Sequence, residues 1–223
     1  IIPRLYVAHV LLLPGIILAL IAAHLALVWY QKHTQFPGPG RTEKNVVGER
    51  VWPAFAMKSI GLLFMTAAVI TALGALFDIN AVWLYGPYDT AAATSYSQPD
   101  WYIGFLEGSL RLFPPWETSA AGYTINNIFY SGVVLPTLIF APLFAVPWIE
   151  RFLTGDGSEH HLLDRPRDAA NRTAIGVGSI TAVTVLFLGG AQDVIANTLE
   201  MPIATVTRIL QVLFLVAPPI AFW

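Results

Sequence analysis

The 223-residue chain has no cysteine. Disulfides, iron–sulfur ligation and zinc–thiolate sites are therefore excluded within it. Charge is scarce: 12% of residues are Asp, Glu, Lys or Arg, against 56% that are hydrophobic. That balance leaves too little polar surface for an ordinary water-soluble domain. The formal net charge is −2, so the chain has no basic field for nucleic acid, which is excluded as a partner. It opens on Ile-Ile-Pro with neither a methionine nor a signal-peptide layout, and its last apolar run stops at Trp223 without a polar flank. Those ends lead us to expect part of a longer polypeptide. No internal repeat and no low-complexity tract is visible.

What the chain does have is long apolar runs. Five are long enough to cross a bilayer, which takes about 20 mostly apolar residues. They lie near Leu5–Tyr30, Phe55–Phe77, Ile125–Ile149, Ala174–Ala191 and Ile203–Trp223. The expected fold is all-α: an integral membrane helical bundle of about five transmembrane helices, with an added outer interfacial helix. A soluble helical core is the plainer alternative. It fails because nearly all charge falls between the runs and amphipathic periodicity is missing.

Basic residues alternate from one connection to the next. The first, 31–54, carries Lys32, Arg41, Lys44 and Arg50, and the third, 150–173, carries Arg151, Arg165, Arg167 and Arg172. The second, 78–124, holds Asp78, Asp89, Asp100, Glu107 and Glu117 against Arg111 alone, and the fourth, 192–202, has Asp193 and Glu200 and no base. The positive-inside bias puts the first and third connections in the cytoplasm and the N-terminus of this stretch outside. Lys58, at the inner end of the second span, is placed to snorkel to the headgroups. Arg208 lies inside the fifth run, and the sequence does not decide whether it reaches the interface or faces protein.

Two histidines, His9 and His24, share the first run, RLYVAHVLLLPGIILALIAAHLALVWY. Ionisable residues inside a span are functional candidates by default. Their separation of 15 positions is about 22 Å of helix and about 60° of azimuth, nearly one face. One imidazole near each end, with Pro14 between them, suits two stacked haems, each taking one axial ligand from this helix. The plainer alternative is two structural imidazoles bonded to neighbouring helices. Bis-histidine iron needs a second imidazole per haem. His33, His160 and His161 fall in cytoplasmic connections, out of reach of the bundle interior, so the missing ligands belong to an upstream helix. Arg4, at the outer end of the same helix, is placed to pair with a haem propionate, or else serves as an interfacial anchor.

On the outer side, Pro99, Asp100, Trp101 and Tyr102 combine a turn proline, a carboxylate and two amphipathic aromatics. Quinol oxidation releases protons, and a carboxylate beside an apolar pocket can accept one. The plainer reading of Asp100 is a helix cap. The stretch PDWYIGFLEGSLRLFPPWE reads as a short interfacial helix with Trp101 and Trp116 as anchors.

With these motifs on the page, RLYVAHVLLLP…AAHLAL resembles the fourth helix of cytochrome b of the bc family. PDWYIGFLEGSLRLFPP resembles that family's PEWY segment and the helix after it, with Asp100 in place of Glu. The whole chain is similar to helices four to eight, and PDWY with GRTEKNVVG looks like the actinobacterial menaquinol branch. The resemblance implies a domain layout: 1–30 as the haem-ligating helix that ends the N-terminal domain, 31–54 as a cytoplasmic loop, and 55–223 as the C-terminal domain. It implies two b haems, with His9 on the outer iron, His24 on the inner iron and Arg4 on an outer propionate. It implies an outer quinol site at Pro99, Asp100, Trp101 and Tyr102, with Asp100 accepting a proton and Tyr102 shaping the pocket or bonding the substrate.

The implied role is an electron-transfer subunit of a quinol:cytochrome c reductase in the bacterial plasma membrane. The implied partners are a Rieske iron–sulfur protein, a cytochrome c subunit, the rest of cytochrome b, a terminal oxidase in a supercomplex and a second copy of the complex. The inner quinone site departs from the family. Trp29 stands where a His or Arg often follows the inner ligand, and Ser59 stands after Lys58 where an Asp is usual. The inner candidates are therefore Lys58, Ser59, Lys32 and His33. The 15-residue ligand spacing is the longer of two in the family and resembles the b6 type, although the fourth and fifth helices are continuous here. Two rival functions remain at this stage: a transporter whose histidines relay protons, and a haem-free scaffold for redox partners.

Overall fold

A computed structural model describes residues 1–77, 81–87, 98 and 100–223, with the backbone alone at 84, 85 and 101. Asp78, Asp89 and Pro99 lie outside the described residues. Among the described residues five helices are long and apolar enough to span a membrane: α1 (Ile2–Gln31), α2 (Val51–Leu76), α5 (Asn127–Thr154), α6 (Ala170–Gly190) and α8 (Ile203–Phe222). Between them lie the short helices α3 (Val82–Tyr85), α4 (Gly104–Leu112) and α7 (Gln192–Thr198). The fold is a helical membrane bundle, as the apolar runs require, with ends within a few residues of the expected ones.

The chain divides into two compact units, Ile1–Met57 with Gly157–Arg165, and Lys58–Asp156 with Pro166–Trp223. In the first unit, α1 has no buried residue, so its apolar side chains are left for lipid or further helices to cover. The first and third connections of the chain meet in this unit. Gln35 and Leu162 form a parallel bridge, with Gln35 N donating to His161 O at 2.7 Å and Leu163 N to Gln35 O at 2.9 Å. The Glu43 carboxylate accepts from the backbone N–H of His161 (2.6 Å) and Leu162 (3.1 Å). The buried Gln35 side chain donates to the Asn45 carbonyl at 2.6 Å and accepts from Val47 N at 3.0 Å, which shapes the loop behind it. Two spans separate these connections, so a shared side is what alternate crossing demands.

In the second unit the core is Leu112, Val185, Leu186, Ala196, Val206 and Leu210. It gathers α4, α6, α7 and α8 at one end of the long helices. Helix α4 seats on the C-terminal end of α6 through glycines. A Cβ on Gly108 would stand 1.6 Å from Leu186 O, and one on Gly190 would stand 2.3 Å from Gly104 O. Only glycine permits so close a backbone approach. The amphipathic segment expected at the interface thus does form a helix, with one face resting on protein. Trp116 is exposed and meets Phe113 edge-on at 5.5 Å.

A two-stranded hairpin that the sequence reading does not contain follows: β1 (Thr118–Ala120) pairs antiparallel with β2 (Tyr123–Ile125). Its two-residue turn is Ala121-Gly122, both at positive φ, as the tight hairpin turn requires. Ala-Gly lacks the Asn-Gly or Asp-Gly signature, which is why the sequence is silent.

Wide π-type turns interrupt α1 at Ala8–Leu12 and α5 at Tyr130–Val134. Each is followed by Leu-Pro, at Leu13-Pro14 and Leu135-Pro136. Proline lacks the N–H for the next rung and crowds the carbonyl four residues back, yet Pro142 and Pro147 of α5 and Pro218 and Pro219 of α8 sit in helix without such a turn. In α5 the Ser131 carbonyl, which Pro136 cannot reach with a donor, is taken by Ser109 Oγ at 2.7 Å.

Candidate functional site

The α1 histidines are exposed, and neither ring makes a hydrogen bond or ion pair among the described residues. The plainer alternative of imidazoles satisfied by neighbouring helices therefore finds no partner among the described residues. Two uncommitted imidazoles on one apolar helix form the donor set that haem iron accepts as axial ligands. Among the described residues no cluster of three or more His, Asp or Glu forms a metal cage, so iron held by protein side chains alone finds no match there. His9 sits inside the wide turn, and His24 lies in the regular helix beyond it. Arg4 is exposed in the first turns of α1 and unpaired among the described residues.

On the second unit, Asp100 is exposed and its Oδ2 accepts from the Tyr102 hydroxyl at 3.1 Å. The carboxylate caps no backbone N–H among the described residues; the main chain makes the turn, Ile103 N donating to Asp100 O at 3.0 Å. The hydrogen bond to Asp100, and then that residue's negative charge, push the Tyr102 phenol above its ordinary 10.0 and keep it protonated. Tyr102 is 75% exposed. Trp101 lies in a short turn, Trp101–Ile103, that runs directly into α4.

Helix α4 ends on a polar hub that the sequence reading missed. Arg111 Nε donates to Glu107 Oε1 at 2.8 Å, and its Nη1 donates to Asp193 Oδ1 and to Gly190 O, both at 2.8 Å. Gln98 Nε2 donates to Asp193 Oδ2 at 2.7 Å. The second and fourth connections therefore meet, and the segment carrying Asp100 is tied to α7 through Gln98 before it and to the end of α6 through Arg111 after it. Arg111 and Asp193 also line an open cavity of about 580 Å³ with Gln192, Ala196, Asn197 and Met201. One signal was legible: Arg111 is the lone base in an acidic connection, with Glu107 one helical turn before it. Its partner, 82 positions away, was not.

The inner candidates are placed as follows. Lys32 ends α1 at a positive φ of 66°, and His33 Nδ1 lies 2.8 Å from its neighbour's carbonyl, Thr34 O. Both belong to the first unit. Lys58 and Ser59 stand in the early turns of α2, exposed, in the second unit. The remaining histidines are more engaged than solvated loop residues would be. His160 Nδ1 lies 3.9 Å from Glu43, and His161 gives its backbone N–H to the same carboxylate. Those two backbone donors, with the nearby histidines adding less, hold the Glu43 carboxyl below its ordinary 4.5. Arg208 lies on the exposed side of α8.

A family model described as cytochrome b (N-terminal)/b6 matches residues 1–87. Over 223 aligned residues the chain is 45% identical to a Streptomyces coelicolor protein named cytochrome bc1 complex cytochrome b subunit, covering 98% of this chain and 40% of that protein. A Mycobacterium tuberculosis protein of the same name is 46% identical over 222 residues, 100% of this chain and 40% of the relative. One from Corynebacterium efficiens is 44% identical over 220 residues, 99% and 40%. The chain thus spans about two fifths of the length of these relatives.

Proposed function

This chain belongs to the cytochrome b family, and from that premise we propose that it works as the haem-carrying electron-transfer part of a quinol:cytochrome c reductase. The observation that carries the proposal is the pair of uncommitted imidazoles, His9 and His24, on one apolar spanning helix. His9 would hold the outer b haem and His24 the inner one, each together with a residue from a helix outside this stretch. Haem, once bound, carries single electrons between the two faces of the membrane. Arg4 stands at the outer end of α1, where it would pair with a haem propionate.

Quinol, menaquinol in this branch, binds outside, beside Pro99, Asp100, Trp101 and Tyr102. Its oxidation yields two protons and two electrons, and Asp100 Oδ accepts one of the protons. Tyr102, held protonated by its bond to Asp100, keeps a hydroxyl donor beside that oxygen. One electron leaves to a Rieske iron–sulfur protein and on to a cytochrome c subunit. The other crosses to a quinone bound inside, near Lys58, Ser59, Lys32 and His33. The charge alternation of the connections supports an outward N-terminal end in a bacterial plasma membrane. We assign 1–30 to the haem-ligating helix, 31–54 to a cytoplasmic loop and 55–223 to the C-terminal domain. The rest of cytochrome b completes the subunit, in a dimeric complex that joins a terminal oxidase.

The test is the dithionite-reduced visible spectrum of the full-length protein in its membrane. A b-type α-band with two haems per chain is expected. A chain without haem overturns the reading, and proton transport without haem would favour a relay of histidines instead.

A further inference from the structure

The two oxygens of the Asp193 carboxylate serve two different stretches of chain. Oδ1 accepts from Arg111 Nη1 at 2.8 Å, and Oδ2 accepts from Gln98 Nε2 at 2.7 Å. Gln98 and Arg111 are 13 positions apart, and Asp100 and Tyr102 lie between them. One carboxylate therefore closes the segment 98–111 into an arc.

The clasp is itself fixed. Arg111 Nη1 also donates to the carbonyl of Gly190, the last residue of α6, and Nε donates to Glu107 Oε1, both at 2.8 Å. A planar guanidinium held on three acceptors has no free rotation left. The Arg111 and Asp193 side chains are only 19% and 13% exposed, so water competes little for these bonds. Arg111 thus sets the plane of the Asp193 carboxylate and aims its second oxygen at Gln98. That second bond has an ionised acceptor, which makes it stronger than a bond between neutral groups.

Asp100 and Tyr102 have no such hold of their own. Among the described residues the Asp100 carboxylate bonds only to the Tyr102 hydroxyl, at 3.1 Å. Downstream, the arc rests on α6 through Gly108. A segment held at one end alone swings about that end. Gln98, two residues before Asp100, supplies the second fixed point. A proton acceptor needs both, because a displacement near 1 Å at a reacting group costs about 100-fold in rate.

We propose that Asp193 is a positioning residue for quinol oxidation: it clasps Gln98 to Arg111 and so fixes Asp100 and Tyr102 where quinol binds. This rests on the reading of Pro99, Asp100, Trp101 and Tyr102 as the outer quinol site. Asp193 acts through the backbone of the arc and touches no substrate.

The experiment exchanges acid and amide across the clasp, in the full-length protein within its complex. It reads kcat and KM for quinol:cytochrome c reductase turnover, haem b per chain, and hydrogen exchange at the Ile103 amide, which closes the turn on Asp100 O. Gln98→Glu sets two carboxylates against each other. Its kcat falls about 10- to 100-fold, Ile103 exchange speeds up and haem content is kept. Gln98→Leu only deletes the tie, and its kcat falls about tenfold. In Gln98→Glu with Asp193→Asn, the asparagine oxygen still accepts from Arg111, its amide donates to the introduced glutamate, and the negative charge stays beside Arg111. That double variant recovers kcat and slow Ile103 exchange relative to Gln98→Glu alone, a non-additivity that marks direct coupling. A carboxylate needed only for folding would lose haem along with turnover and would gain nothing from the second substitution. Wild-type kcat in either Gln98 single variant, or a double variant no faster than Gln98→Glu, overturns the proposal. So does failure of both single variants to assemble. Unchanged turnover in Asp100→Asn overturns the quinol-site reading itself, a distinct result.

Discussion

Gly108→Ala tests whether the acidic outer segment depends on the glycine seat beneath it. The added Cβ would lie 1.6 Å from Leu186 O, 2.6 Å from Leu186 C and 2.9 Å from Gly190 N. All three are backbone atoms, so no rotamer change relieves the clash. Helix α4 has to lift by about 1.5 Å to restore ordinary contact distances in a close-packed seat. Overpacking of this kind costs about 1–3 kcal/mol, more than the ~1 kcal/mol that alanine gains over glycine in a helix. The lift also moves the turn that carries Asp100 and Tyr102, since that turn runs directly into α4. A displacement near 1 Å at a reacting group costs about 100-fold in rate. The assay is quinol:cytochrome c reductase turnover of the assembled complex, with its thermal unfolding and reduced haem spectrum. Turnover should fall about 100-fold while both haem bands persist, because His9 and His24 belong to α1 and the seat is built by α4 and α6. Gly132→Ala is the control, since its Cβ would meet nothing closer than Leu110 Cδ2 at 3.5 Å. If the two variants behave alike, the seat does not position the site and the reasoning is wrong.

Four further outcomes are expected. Asp100→Asn slows quinol oxidation, leaves both haem spectra intact and lets the Tyr102 phenol return towards 10.0; unchanged turnover would remove Asp100 as the main proton acceptor. Arg111→Met and Asp193→Asn each destabilise the complex by about 3 kcal/mol, because each strands a mostly buried partner at 19% and 13% side-chain exposure. Their double variant should reveal coupling of about 1–2 kcal/mol in thermal unfolding, and strict additivity would refute the hub. Glu43→Gln speeds hydrogen exchange at the His161 and Leu162 amides. In wild type, Glu43 is depressed below its ordinary 4.5, so its contribution is present above that value and is lost as the pH falls through the lowered one; protection that survives strong acid would contradict this. His24→Leu removes the inner haem while His160→Ala keeps both, by pyridine haemochrome; two haems in His24→Leu would disprove ligation.

The spans were legible because bilayer thickness dictates their length and the apolar runs carry few charges. The pairing of connections was half legible. Charge alternation places 31–54 and 150–173 on one side, and the Gln35–Leu162 bridge joins them, but nothing in the pattern names Gln35 or Glu43. The candidate site divides the same way. His9, His24 and Asp100 announce themselves by chemistry out of place in an apolar chain. Gly108, Gly190, Arg111 and Asp193 do not, because their meaning lies in partners 78 or more positions away. Pro14 was visible as a residue. The wide turn before it was not, since a local change in backbone hydrogen bonding leaves no mark in hydrophobic periodicity.

The two ends of the proposed electron path are fixed by opposite means, and each suits its task. On the proposed reading Asp100 has to change protonation; its carboxylate is exposed and, among the described residues, bonded only to a hydroxyl. The backbone that carries it is over-determined instead, with a glycine seat on α6 after it and Gln98, held by Asp193, before it. Position is enforced by tertiary contacts while the reacting atoms stay free. His9 and His24 have no such supports among the described residues, where α1 buries nothing, so on the proposed reading the orientation of their rings depends on the helices that pack against α1.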